Sequence, residues 1–271
     1  MNTLPSLPAP KILLVGSTGS GKTHSIRTLL DAGCEVFCIF TEPGMEVLSD
    51  TDPERLHWHY IPPSSTPWAQ MIDSATKINT MALDSLAKLT DINKRQHTEF
   101  IQLLTALSNF KDDRTGKEYG SVDDWDNTRY LVLDSLSGLN IMAMNLVTGT
   151  KPVKSMSDWG IAMDNLERLV TKLTVDLSCG VVLTAHLERE TDEVTGGVNL
   201  MASTLGKKLA PRLPRFFSDV IHAKRDGDKF VWSTASFNVD LKARNVAIAD
   251  NLPPSFVPLL KNWKERQHVS S

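Results

Sequence analysis

Three cysteines in 271 residues, Cys34, Cys38 and Cys179, are too few for a disulfide framework. No Cys-x-x-Cys occurs, and none of the three has metal-site company, so buried reduced thiols are expected. Long hydrophobic runs are missing: no stretch is long enough to span a bilayer. Residues 1–10 are Pro-rich and uncharged, without the basic region and apolar core of a signal peptide. The expectation is a soluble, cytoplasmic chain. A large excess of charge is absent too. The chain has 29 Lys and Arg against 32 Asp and Glu, a formal net charge of −3. This excludes a polycation that coats nucleic acid; any such contact needs a local basic patch. There is no internal repeat and no low-complexity tract.

What is present is an alternation of apolar runs and helical periodicities. Residues 11–15, 35–40, 129–134 and 180–185 read as buried strands, and 56–61 as a less buried one carrying His57 and His59. Residues 23–32 read as a helix with Ile26, Leu29 and Leu30 on one face and Gly33 as its stop. Between residues 68 and 110, two helical periodicities follow each other: Trp68, Met71, Ile72, Ala75, Ile78, then Phe100, Ile101, Leu104, Leu107. They predict two helices or one long broken one. Ser157 or Asp158 caps a further helix to about residue 177, with Ile161, Leu166, Leu169, Val170 and Leu173 inward. The polar stretch 188–205, with Gly196 and Gly197, reads as a mobile loop. Residues 219–223 and 229–234, around Arg225-Asp-Gly-Asp228, read as a C-terminal β-hairpin. The pattern predicts an α/β fold with a mainly parallel central sheet. Its parts are a tail at 1–10, a core domain at 11–250 with a helical insertion at about 68–110, and a tail at 251–271.

Gly16-Ser17-Thr18-Gly19-Ser20-Gly21-Lys22-Thr23 is the strongest signal. Glycines let successive backbone N–H groups turn toward a β-phosphate, and the following helix offers its positive end. Lys22 reaches the β- and γ-phosphates, and the Thr23 hydroxyl ligates Mg²⁺. The motif sits between a buried strand and a helix, the context that ATP binding requires. Asp134 ends an apolar strand, where a carboxylate can hold the water shell of Mg²⁺. Glu42 follows the second strand, taken as a neighbour of the P-loop strand. It reads either as the group that orients or deprotonates the attacking water, or as a solvated turn carboxylate. His186, ending Leu183-Thr-Ala-His186, is a candidate sensor of the γ-phosphate. Lys207, Lys208, Arg212, Arg215, Lys224, Arg225, Lys242 and Arg244 form a basic concentration. Three readings of it stand side by side: a DNA-facing strip, a source of an arginine finger, or a solvated surface.

In this order the pieces resemble the RecA/RadA-like ATPases, and among them the compact phage ATP-binding proteins that include the Sak-type single-strand-annealing recombinases. The resemblance covers residues 10–65 and 128–246. It rests on the P-loop, on Phe40-Thr-Glu-Pro-Gly44, on Val132-Leu-Asp-Ser-Leu136, on Val182-Leu-Thr-Ala-His186 and on Ser157-Asp-Trp-Gly160. It implies a RecA-like P-loop NTPase core and Mg²⁺-dependent ATP hydrolysis, with Glu42 catalytic and Asp134 at the metal. It also implies that His186 couples nucleotide to a DNA-binding loop containing Thr195-Gly-Gly197. Lys242 and Arg244 would then reach a neighbour's ATP in trans, so a homo-oligomer with the ATP site at the subunit interface is implied. Single-stranded DNA and a single-strand-binding protein are the implied partners, and no membrane is implied.

The chain departs from bacterial RecA in its 68–110 insertion, in lacking large appended domains, and in lacking an aromatic stacking platform in the loop itself. Annealing, or assistance to another recombinase, therefore fits better than full strand exchange. Three alternatives keep the same core: a virion assembly or packaging ATPase, a P-loop kinase with 207–215 as a lid, and a nucleotide-gated scaffold without turnover.

Overall fold

β1 (Lys11–Val15) is buried at every position. Ile12 and Leu14 join one hydrophobic core, Leu13 and Val15 another. Such a strand needs cover on both faces of its sheet. The computed structural model describes residues 7–89, 96–191, 197–236 and 238–269. The further strands are β2 (Glu35–Phe40), β3 (Leu56–Tyr60), β4 (Arg129–Asp134), β5 (Gly180–Ala185), β6 (Leu187–Thr191), β7 (Val198–Ala202), β8 (Asp219–Asp226) and β9 (Lys229–Ser233). Seven of them form one sheet in the order β3-β2-β4-β5-β1-β8-β9. Its first six strands run parallel, and β9 turns back antiparallel on β8 as the expected hairpin. The parallel strands end on one edge: Phe40 lies opposite Asp134, and Val15 opposite Ala185 and His222. This is the α/β sheet of a P-loop NTPase core.

The helices are α1 (Lys22–Ser25), α2 (Arg27–Asp31), α3 (Trp68–Thr80), α4 (Leu83–Lys88), α5 (Glu99–Ser108), α6 (Leu136–Thr148), α7 (Met156–Thr171), α8 (Gly206–Leu209) and α9 (Val257–Val269). One face of the sheet is covered by Leu103 of α5, Leu139 of α6 and Leu166 of α7. The other is covered by Leu29 of α2 and by Leu259, Leu260 and Trp263 of α9, together with Phe256. Each such burial contributes roughly 1.5–3 kcal/mol relative to exposure. Among the described residues no helix is long and apolar enough to cross a membrane. All three cysteines are buried and free, and burial pushes the thiols of Cys34 and Cys179 up to about 11.

Several expectations are corrected. Residues 251–271 do not form a plain tail: α9 packs against the sheet, with Leu259 and Leu260 fully buried. Residues 9 and 10 also join the body, and the Ala9 N–H donates to Ser178. Among its described residues the insertion holds three α-helices, α3, α4 and α5, rather than two or one long broken one. α3 has no buried residue, while α5 packs through Phe100, Leu103, Ala106 and Leu107, leaving Ile101 and Leu104 outside. Residues 90–95 lie outside the described part.

The cap of α7 is Ser155, not Ser157 or Asp158. Ser155 and Asp158 form a reciprocal capping box, and Ile161 faces out while Ala162 faces in. His57 is fully buried, because the 110–125 segment folds Tyr119 over it, with ring centroids 4.3 Å apart. The stretch 188–205 is not a loop in its described residues: β6 and β7 pair from Leu187–Ala202 to Thr191–Val198. Thr195 and Gly196 lie outside the described part.

Candidate functional site

Backbone sterics shape the P-loop first. Gly21 has φ of +82°, a conformation that favours glycine, and it caps α1. A Cβ on Gly16 would stand 2.4 Å from the Ala223 carbonyl oxygen, so only glycine lets the loop lie against β8. The Lys22 ammonium donates to the carbonyls of Gly16 at 2.8 Å and Ser17 at 2.9 Å. Burial pulls its pKa below the usual lysine value, and the carboxylates of Asp134 and Glu42 oppose that pull. Ser20 Oγ is buried without a hydrogen-bond partner. Thr18 lies exposed at the loop's tip, and Gly19 has φ of +73° with open space beside it.

Opposite the loop, Asp134 holds two hydroxyls. Its Oδ2 accepts from Thr23 Oγ1 at 2.6 Å, and its Oδ1 accepts from Thr184. Thr184 lies on β5, the strand between β4 and β1. The peptide between Asp134 and Ser135 is cis. Glu42 follows β2, whose carboxyl end is not beside β1, as expected, but separated from it by β4 and β5. Glu42 still reaches the site: its Oε2 lies 3.8 Å from His186 Nε2. His186 follows β5 directly and opens the β6–β7 ribbon, and its carbonyl accepts from the Ser203 N–H at 2.8 Å.

The fit to a nucleotide and Mg²⁺ rests on the donor set. The unpartnered Ser20 hydroxyl and the Lys22 ammonium face phosphate chemistry. Thr23 and Asp134 supply one hydroxyl and one carboxylate, the small oxygen set that Mg²⁺ takes when phosphates and waters complete its shell. Among the described residues no cluster of three or more His, Cys, Asp or Glu side chains could hold a metal by itself.

The basic residues divide rather than forming one strip. Arg212 and Arg215 pair with Glu167 of α7, and Lys224 with Asp250. The Lys242 ammonium donates to the Phe217 carbonyl at 2.6 Å, and burial lowers its pKa. Lys242 pairs with Val220 and Arg244 binds Asp219 through its backbone, both beside the start of β8. That edge of the sheet is opposite the chain's own P-loop. The Arg244 side chain is exposed. The side chain of Lys207 lies outside the described part, and Lys208 is exposed.

Three site groups were given no role by the motif reading, although Thr184 and Thr41 stand inside quoted motifs. Thr184 holds Asp134, and Thr41 ties the end of β2 to Ser135. Phe230 packs on Gly21. A polar residue inside an otherwise apolar strand is the signal that Thr184 carried.

A family model described as AAA domain matches residues 9–245. No curated protein matches the chain significantly. Membership in such a family implies a P-loop domain that binds nucleotide, in keeping with the loop and sheet described above. The match spans the P-loop, every strand of the central sheet and the Glu42, Asp134 and His186 strand ends, so the chain belongs to the AAA domain family.

Proposed function

We propose that the protein is a RecA-like, Mg²⁺-dependent ATPase that acts on single-stranded DNA in phage-type recombination or annealing. The observation that carries this reading is the position of His186. It lies 3.8 Å from Glu42 on one side and continues directly into the β6–β7 ribbon on the other. A change at the γ-phosphate felt by this pair has a short covalent path to the ribbon.

ATP lies with its phosphates on residues 16–23, and the Lys22 ammonium leaves its loop carbonyls for the phosphate oxygens. Mg²⁺, when bound, neutralises phosphate charge and polarises the γ-phosphoryl group. Thr23 and Asp134 would hold it, and Thr184 keeps the Asp134 carboxylate turned toward Thr23. Glu42 orients the attacking water and takes its proton. Lys242 or Arg244 of a neighbouring copy meets charge developing on the γ-phosphate, which requires a homo-oligomer with the site at its interface.

The ribbon and α7 flank a cleft of about 520 Å³ lined by Trp159, Arg189, Met201 and Thr204 together with the carboxylates of Glu188 and Glu190. Trp159 is 37% exposed there. It provides beside the ribbon the aromatic face that the loop sequence lacks, and a base can stack on it. A single-strand-binding protein is the accompanying partner.

The test measures ATP hydrolysis without DNA, with single-stranded DNA and with duplex, at several protein concentrations. Stimulation by the single strand and a rise in specific activity with concentration are expected. A flat response in every arm contradicts the reading.

A further inference from the structure

Strand order sets the direction in which a nucleotide lies. Asp134 ends β4, and Glu42 and His186 follow β2 and β5, all on one side of β1, while β8 and β9 flank the other side. A triphosphate with its γ end at Asp134 and Glu42 has its other end toward β8 and β9. Phe230 of β9 stands there, 41% exposed, with its ring against the P-loop: a Cβ on Gly21 would lie 3.0 Å from it.

Arg225 lies opposite Phe230 in the hairpin, and its guanidinium is 5.8 Å from the ring centroid. Arg225 Nε donates to the Gly227 carbonyl at 3.1 Å, which anchors the guanidinium beside the ring. Trp232, two residues further along β9, is buried in the core, whereas the exposed Phe230 ring belongs to neither hydrophobic cluster.

We infer that Phe230, braced by Arg225, is the nucleobase subsite, where the purine of a bound nucleoside triphosphate stacks on the phenyl face. This rests on the nucleotide-binding reading of the P-loop and adds the class of group recognised beyond the phosphates. Stacking recognises any purine, so the subsite does not separate ATP from GTP.

Calorimetric titration with ATP, GTP and inorganic tripolyphosphate tests it in the full chain and in two variants. Phe230→Leu keeps an apolar contact on Gly21 but removes the π-face. It is expected to weaken ATP and GTP about tenfold and to leave tripolyphosphate within about twofold, with Phe230→Tyr restoring both nucleotides. Equal weakening of ATP and tripolyphosphate would mean that the ring only shapes the P-loop, and this overturns the proposal. Unchanged ATP affinity in Phe230→Leu overturns it as well. A wild-type chain that binds none of the three ligands overturns the nucleotide-binding reading itself, and the subsite with it.

Discussion

The Thr41 hydroxyl is bound to both backbone polar groups of Ser135. It accepts from the Ser135 N–H at 2.9 Å and donates to the Ser135 carbonyl at 3.1 Å. Gly138 presses on the same side chain: a Cβ there would stand 2.1 Å from Thr41 Oγ1. The residues just before Glu42 and just after Asp134 are therefore fixed to each other. Thr41→Val keeps the shape and leaves the buried Ser135 N–H unpaired, while the Ser135 carbonyl keeps the Leu139 N–H at 3.3 Å. It is expected to cost about 1–3 kcal/mol in urea unfolding. Hydrolysis should fall while ATP affinity holds, because Glu42 loses its position and the P-loop does not. Equal loss of both would place Thr41 in general folding only.

The P-loop was legible in the sequence because its signal is local: a buried run, glycines, a lysine and a helix follow one another. Asp134, Glu42 and His186 were legible as polar ends of apolar strands. Their spatial order was not. Which strands lie beside β1 depends on crossovers between distant segments, and β5 and β8, both late in the chain, take those places. His57 read as half-exposed because its own strand alternates; the ring that buries it comes from Tyr119, 62 residues away. α9 read as a tail because Pro258 and four charged residues interrupt its pattern, leaving Leu259, Leu260 and Trp263 as a narrow apolar stripe.

That stripe has a measurable consequence. Leu260 is 1% exposed and packs in the core that holds Ile26 and Leu29 behind the P-loop. Leu260→Ala is expected to destabilise the fold by about 2–5 kcal/mol in urea or thermal unfolding. A change within experimental error would return residues 251–271 to the status of a tail.

Thr184→Val removes one of the two hydroxyls on Asp134 at nearly constant volume. The carboxylate is then free to rotate away from Thr23. The Mg²⁺ concentration needed for half-maximal ATP hydrolysis should rise by about ten- to a hundredfold, in line with the loss of a supporting group around a metal ligand. An unchanged Mg²⁺ dependence would contradict the role given to Thr184.

His222 sets a pH dependence. The residue is 9% exposed, and burial, followed by the positive charge of Lys224, lowers its pKa from 6.5 to about 4. Asp250 opposes this shift and Lys22 adds to it. The folded state thus holds the ring neutral while the unfolded chain protonates near 6.5. Stability from this group is fully present above about pH 6.5 and is lost as pH falls toward about 4. His222→Gln should flatten the fall of the thermal midpoint across that window. An identical pH profile in the variant would show that His222 does not contribute.

In the proposed mechanism Glu42 drives hydrolysis at a P-loop that binds ATP without it. Glu42 is 37% exposed, and the Lys22 and Thr23 contacts described above do not involve it, so Glu42→Gln should leave the loop folded. ATP binding and ATP turnover are measured side by side in the wild type and in Glu42→Gln. Binding is expected to stay within about twofold while turnover falls by about 10²-fold or more, the scale of general base catalysis. A Glu42→Gln chain that hydrolyses ATP at the wild-type rate would contradict the role given to Glu42.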